Sequence, residues 1–229
     1  MSKTRTYRPI PLALSALVAT FSAATALAVT NGQDAHAHGH AHAIAASSAV
    51  SSKEVALRSD MRRLWEDHIL WTRLAIISLT TNAPDTAATV NRLLRNQTDI
   101  GNAVKPFYGK AAGIKLTAEL RRHILIAADL IAAAKEGDQG AITREQARWQ
   151  RNANVIAAVL NSVNPRFWKL ATMKAEMQKH LALTTQEVID RLQGKWNADV
   201  AVYDRIHSHI LHMADMLSTG LVKQFPERF

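Results

Sequence analysis

The sequence predicts an all-α protein, on three observations. From Lys53 onward, apolar residues recur at steps of three and four, which places them on one face of a helix. The pattern is interrupted where proline or glycine occurs, as at Pro84, Pro106 and Gly137. No segment alternates apolar and polar residues with the period of two that indicates a strand. We therefore expect a bundle of about six helices built from helical hairpins.

The first two helices are bounded by proline-containing breaks. The first helix runs from Lys53 to the break at Asn82-Ala83-Pro84. Asp85 can cap the second helix, because a short acidic side chain accepts hydrogen bonds from the free N–H groups of a first turn. This helix ends at Lys105-Pro106, and Phe107-Tyr108-Gly109 forms the turn after it.

The later helices are read in the same way. The third ends at Gly137-Asp138 and the fourth at Asn164-Pro165. A short fifth helix contains Leu170 to Leu181. Thr184-x-x-Glu187 matches a capping box and predicts the start of a long sixth helix, which Gly194 bends or breaks.

An internal similarity accompanies these helices. The segment that begins at His123 shares its His-Ile-Leu start and a later Ala-Asp pair with the segment that begins at His209, and His68 also opens a His-Ile-Leu string. Duplication of a helical hairpin explains the similarity, and so does chance resemblance between amphipathic helices rich in Ala and Leu. The sequence leaves both explanations open.

The N-terminus predicts export to the periplasm or the extracellular space. Lys3, Arg5 and Arg8 precede an uncharged apolar run from Pro9 to Val29, and Ala26-Leu27-Ala28 matches the small-x-small pattern of a cleavage site. We interpret residues 1–28 as a signal peptide, residues 29–52 as a flexible histidine-rich linker and residues 53–229 as the helical domain. An uncleaved membrane anchor is the alternative. No second segment of spanning length follows, so we expect no stable membrane insertion after cleavage.

Composition excludes several classes of function. The chain has no cysteine, which removes thiolate zinc sites, iron–sulfur clusters and cysteine nucleophiles. Its net charge of +9 is scattered along the helices, so we expect no nucleic-acid partner; the sequence identifies no protein partner. Gly-x-Ser-x-Gly, His-Glu-x-x-His and phosphate-loop motifs are all absent from the sequence, so we expect no nucleotide cofactor. An enzyme is less favoured than a binding protein.

The histidines carry the clearest functional signal. Neutral imidazole is a good ligand for copper and zinc. Four histidines alternate with small residues in the predicted linker, where they can wrap one ion weakly: His36, His38, His40 and His42. The alternative is a spacer that happens to contain histidine.

A second group of histidines lies in the helical domain. Four of them fall on apolar stripes of different helices, where convergence would create a core site: His68, His123, His180 and His207. His209 and His212 are further candidate metal ligands, close in sequence to Met213 and Met216. The alternative is that each buried histidine is a hydrogen-bonded packing residue.

Several strings in the domain resemble a family of bacterial all-helical exported proteins that has no assigned function. The strings are Leu64-Trp-Glu-Asp-His68, Trp71-Thr-Arg73, Arg92-Leu-Leu-Arg-Asn96, Lys105-Pro-Phe-Tyr-Gly109, His123-Ile-Leu-Ile-Ala-Ala-Asp129 and His212-Met-Ala-Asp-Met216. The resemblance covers roughly Leu57 to the C-terminus and implies an all-helical fold. Members sometimes carry the names acetylglutamate kinase or glycosyltransferase. Those activities need α/β sheets and nucleotide-binding loops, which this sequence lacks.

The sequence thus favours an exported helical protein that binds a transition-metal ion, copper or zinc, through histidines. A structural or interaction module of the cell envelope is the first alternative, and an enzyme with a histidine-lined pocket is the second.

Overall fold

The computed structural model describes residues 50–229, and this part of the chain is all-helical, as the sequence predicts. It contains five α-helices and a final 3-10 turn, and residues 50–229 include no strand. The elements are α1 (Ser52–Thr81), α2 (Thr86–Glu136), α3 (Gln139–Val163), α4 (Leu170–Leu192), α5 (Trp196–Gln224) and the 3-10 turn Pro226–Arg228. The predicted signal peptide and the tail histidines His36, His38, His40 and His42 lie outside the described residues.

Most helix ends fall where the sequence predicts them. The Ser51 hydroxyl caps α1 by accepting from the Glu54 N–H over 3.1 Å, and Asn82 ends α1 in the left-handed conformation. Gly137 ends α2 with φ of 72°, which glycine adopts without steric cost. Asp138 then caps α3 by accepting from the Ala141 N–H over 2.9 Å.

The predicted second and third helices are the two arms of α2, joined at a sharp bend. Gly109 has φ of 83° and ψ of 168°, which breaks the helical path. Helical structure continues through Pro106 to this glycine, so the predicted end at Pro106 is early by one turn. Past the bend the second arm returns along the first: a β-carbon built on Gly113 would lie 2.6 Å from the carbonyl oxygen of Gly101.

The predicted start of a sixth helix at Thr184 is wrong. Thr184 lies in the middle of α4, where its hydroxyl donates to the carbonyl of His180 over 2.9 Å. Glu187 does not cap a helix; it is buried and forms an ion pair with Arg73 of α1. The real break is Gly194, which has φ of 70° and separates α4 from α5.

The helices close into a ring around one main core. Each helix packs on its neighbours in chain order, α5 returns to pack on α1, and α1 also contacts α4 across the middle. The core between them is made of aliphatic side chains such as Ile69, Ile156 and Ile210, together with the indole of Trp149. Burial of each such side chain stabilises the fold by about 1.5–3 kcal/mol. Within residues 50–229, no helix is both long and apolar enough to span a membrane.

Candidate functional site

Four buried histidines meet in the centre of the bundle. His68 of α1, His123 of α2, His180 of α4 and His209 of α5 are each no more than 5% exposed. The ring centre of His180 lies 5.9 Å from that of His68, 6.2 Å from that of His123 and 6.4 Å from that of His209. The convergence expected of His68, His123 and His180 is therefore present, with His180 in the middle.

His207, the fourth residue predicted for this group, is not part of it. Its side chain is 39% exposed, and its Nε2 atom lies 2.7 Å from Oε1 of Glu66 on the outer surface. The buried face of α5 instead carries Ile206, His209 and Met213, at steps of three and four. His212 is exposed as well, and it lines an open surface pocket that reaches His209.

The histidine cluster is built from one arrangement that recurs three times. The backbone carbonyl four residues before each of His68, His123 and His180 accepts a hydrogen bond from a side chain on the following helix or arm. The pairs are Asn96 to Leu64 at 3.0 Å, Asn152 to Glu119 at 3.3 Å and His209 to Glu176 at 3.2 Å. These bonds hold the histidines at matching depths.

The ring of His123 is held in one tautomer. The amide nitrogen of Asn152 donates to the carbonyl and the carboxylate of Glu119, so its amide oxygen faces His123. That oxygen can only accept, so His123 Nδ1 carries the proton and donates over 2.8 Å. The lone pair of His123 Nε2 is consequently left buried, with no partner.

A second set of unpaired atoms lies between α4 and α5. His209 donates from Nε2 to the carbonyl of Glu176 over 3.2 Å, so its Nδ1 carries the lone pair. Nδ1 lies 3.5 Å from Oε2 of the Glu176 carboxylate. Both atoms are buried without a hydrogen-bond partner, and so is Nδ1 of His180. Three potential ligand atoms from two helices are therefore unsatisfied in one region.

Burial keeps the core imidazoles neutral. It lowers the pKa of His68 to about 3 and that of His123 to about 4. The pKa of His180 is well below its usual value because of burial and of the three neighbouring histidines. Burial also lowers the pKa of His209, with the Glu176 carboxylate acting in the opposite direction. Neutral imidazole is the form that binds metal ions.

The metal site expected from the sequence is not preformed. Across residues 50–229, no three His, Asp or Glu side chains are arranged to hold a metal ion. The ring centres of His180 and His209 are 6.4 Å apart, whereas two imidazoles on one tetrahedral ion have ring centres roughly 5 Å apart at the usual bond lengths. Metal binding by these residues therefore requires side-chain movement.

An apolar cavity adjoins the histidines. His68, His123 and His180 line one part of it, and the rest is mainly alanine, leucine, isoleucine and valine from α1, α2 and α4. The cavity has a volume of about 50 Å³. The indole of Trp149 also lines the cavity and stacks on His123 with ring centres 5.1 Å apart.

A buried charge network, which the sequence did not reveal, lies beside the histidine cluster. Arg73 pairs with Glu187 at 2.5 Å and with Asp199 at 2.8 Å, and Arg191 pairs with Asp199 at 2.8 Å. The Arg73 guanidinium also lies 4.7 Å from the ring centre of Tyr203. Burial raises the pKa of Glu187 to about 7, although Arg73 opposes this shift. The signal in the sequence was an acidic residue, Glu187, on a stripe of otherwise apolar residues.

Comparison of the chain with protein-family models, with curated proteins and with solved structures finds no match. The resemblance to a bacterial helical family therefore stays a prediction.

Proposed function

We propose that this chain is a binding protein for a transition-metal ion, copper or zinc, held by Glu176, His180 and His209. One observation carries the proposal: Glu176 Oε2, His180 Nδ1 and His209 Nδ1 are all buried without a partner. Each buried polar atom left without a partner costs about 1–3 kcal/mol. A cation that coordinates all three would remove that cost.

The contact between Glu176 and His209 is compatible with a bound cation. A carboxylate oxygen and an imidazole lone pair are both acceptors and repel each other at 3.5 Å, and a metal ion, a proton or the charge of nearby Lys179 relieves that repulsion. Two ligand atoms bound to one tetrahedral ion at about 2.1 Å are roughly 3.4 Å apart. The observed separation matches that value. The hydrogen bond from His209 Nε2 to the Glu176 carbonyl orients the ring, as outer hydrogen bonds do in metal sites.

A route from solvent also supports the proposal. Besides His209, the open pocket is lined by the side chains of Lys179, Leu183, Asp204, Arg205, Ser208 and His212. An ion captured at His212 can reach His209 along this pocket without passing through the apolar core. The Glu176 side chain is one-fifth exposed, so the site adjoins the surface on that side.

The decisive experiment measures metal binding by protein that lacks residues 1–45. Titration with Zn(II), Cu(II) and Cu(I) should give one tight equivalent for at least one of these ions. His180→Ala, His209→Ala and Glu176→Gln should each weaken this binding about 100-fold or more, because each removes one ligand. His207→Ala is the matched control on the same helix as His209, and it should stay within about twofold of the parent.

Two outcomes would reject the metal site. The first is no tight binding of any of the three ions, which leaves an envelope scaffold as the better function. The second is an equal loss of affinity in His207→Ala, which would place the ion on the outer surface.

Export and a second, weaker metal site in the tail are part of the same proposal. The basic start, the apolar run and the Ala26-Leu27-Ala28 triplet support export, and the four alternating histidines after them support weak capture of copper or zinc.

Removal of residues 29–45 from the mature protein should lower the number of weakly bound copper or zinc ions. It should leave the melting temperature within about 2 °C, since the described core lies entirely beyond these residues. Equilibrium dialysis and thermal unfolding of the two forms provide the measurement. If both forms bind the same number of weakly held ions, the tail is only a spacer.

We also propose that the domain consists of three related helical hairpins. The support is the recurring hydrogen bond described above, made by Asn96, Asn152 and His209. These residues follow His68, His123 and His180 by 28, 29 and 29 positions. Chance resemblance between amphipathic helices is the alternative.

A further inference from the structure

The apolar cavity beside His68 and His123 contains unmatched polar groups of its own, separate from the atoms assigned to the metal. His123 Nε2 offers a buried lone pair, and Trp149 Nε1 offers a buried N–H; neither has a partner. Both residues line the cavity. An acceptor and a donor are thus left unsatisfied on two stacked rings.

His68 also lies on the cavity wall. Its Nδ1 atom is 3.1 Å from the amide nitrogen of Gln97, whose two protons are donated to the Leu93 carbonyl and to Asn96 Oδ1. Two of the three threonine hydroxyls of the lining are already donated: Thr72 donates to the His68 carbonyl at 2.7 Å and Thr184 to the His180 carbonyl at 2.9 Å. The remaining hydrogen-bonding capacity belongs to the aromatic rings and to the hydroxyl of Thr185.

The remaining lining residues indicate the chemical character of the rest of the ligand. No Asp, Glu, Lys or Arg side chain lines the cavity, which excludes a charged ligand, and the wall opposite the rings consists of residues such as Ala75, Leu130 and Ile131. The cavity volume of about 50 Å³ exceeds the roughly 10–15 Å³ that one water needs and is smaller than the roughly 150 Å³ of a cavity that holds benzene, so it suits a ligand of a few heavy atoms.

We propose that this cavity binds a small, uncharged, mainly apolar molecule that carries one hydroxyl group. The hydroxyl donates to His123 Nε2 and accepts from the N–H of Trp149, while the hydrocarbon part fills the apolar space. A hydroxyl satisfies a lone pair and an N–H together, which neither a hydrocarbon nor a simple ketone does.

Partly exposed small residues lie where a ligand would enter the cavity. Ala127 and Ala128 of α2 and Val90 of its first arm line the cavity and are only half-buried. Enlarging Ala127 should fill the cavity, whereas Ala132 of the same helix is exposed and lies outside the lining. The two alanines therefore give a matched pair of variants.

The test uses the mature full-length protein with a chelator present, so its result does not depend on the metal site. The probes are 2-propanol and acetone, which have nearly the same shape and differ in the hydroxyl. 2-Propanol should bind about tenfold tighter than acetone by NMR titration. Ala127→Leu should abolish binding of both probes, and Ala132→Leu should leave both unchanged.

A second measurement covers the case in which Ala127→Leu does not fold. In wild-type protein, 2-propanol should shift the ¹⁵N resonances of the His123 ring and leave those of the exposed His207 ring unchanged. Equal affinity for 2-propanol and acetone would overturn recognition of the hydroxyl. Binding of neither probe at concentrations up to about 0.1 M, or 2-propanol binding without a His123 shift, would overturn the cavity as the binding site.

Discussion

Acidification from pH 7 to pH 4 is expected to lower the free energy of unfolding by several kcal/mol. The pKa values of His68 and His123 fall to about 3 and about 4 in the folded protein, from 6.5 in an exposed ring, because burial disfavours the charged form. Below pH 6.5 the unfolded chain therefore binds protons that the folded chain does not bind. As a result, the free energy of unfolding decreases as the pH is lowered. Each of these rings contributes up to about 1.4 kcal/mol per pH unit until its folded pKa is reached. At pH 4 the two together amount to roughly 6 kcal/mol.

The ionisation of Glu187 has the opposite effect on the free energy of unfolding. The folded pKa of Glu187 is about 7, above the 4.5 of an exposed glutamate, so this carboxyl stabilises the fold as pH falls from 7 to 4.5. At about 1.4 kcal/mol per unit its contribution is smaller than that of the two histidines combined. The net effect of acidification is therefore destabilising.

Urea unfolding at steps of pH between 7 and 4, with a chelator present, measures this effect. In His68→Asn and His123→Asn, stability should depend less steeply on pH between 6.5 and 4.5 than in the parent protein. His207→Asn should retain the parent slope, since this ring is exposed on the outer surface. A flat profile between pH 6.5 and 5 in the parent would contradict neutral burial of the histidines.

Replacement of Arg73 by methionine is expected to lower the free energy of unfolding by about 3–5 kcal/mol at pH 8. The Arg73 side chain is 16% exposed and its partners Glu187 and Asp199 are each 2% exposed, so its loss leaves buried carboxylates without their main counter-charge. Arg191 continues to neutralise Asp199 through its 2.8 Å contact, which leaves Glu187 as the uncompensated charge.

The loss should shrink at pH 5. Glu187 can then take up a proton and avoid the unpaired buried charge, since its folded pKa is already raised towards 7. Arg62→Met is the matched control, because Arg62 also forms a two-contact pair with a carboxylate, that of Asp215, but on an exposed surface. It should cost no more than about 1 kcal/mol by denaturant unfolding. Equal effects of the two substitutions would show that the Arg73 network adds nothing beyond a surface pair.

Part of the fold followed from local signals alone. The helical class rests on apolar spacing, and the ends at Asn82, Gly137 and Asn164 rest on residues whose backbone preferences act over a few positions. These features depend on neighbours in the chain, so they can be read without knowledge of the packing. The false start at Thr184 arose from the same type of signal. The Thr-x-x-Glu spacing suits a capping box, and it equally suits a mid-helix threonine followed by a buried glutamate whose partner, Arg73, lies 114 residues away.

The candidate site was also predictable only in part from the sequence. The sequence indicated that histidines on apolar stripes would be buried, and His68, His123 and His180 are buried and meet. It did not separate His207 from His209. Two residues apart on a helix correspond to about 200° of rotation, so the choice depends on how α5 is turned against α1 and α4.

By itself, then, the sequence determined that this is a helical protein with histidines on its buried faces, because periodicity and capping act over a few residues. Only the tertiary structure decided that His180 lies at the centre of the cluster, that His209 replaces His207, and that Glu176 faces an imidazole lone pair. The reason is physical: hydrogen bonds and unpaired atoms of this kind join residues on different helices, and their partners are set by helix rotation and packing rather than by spacing along the chain.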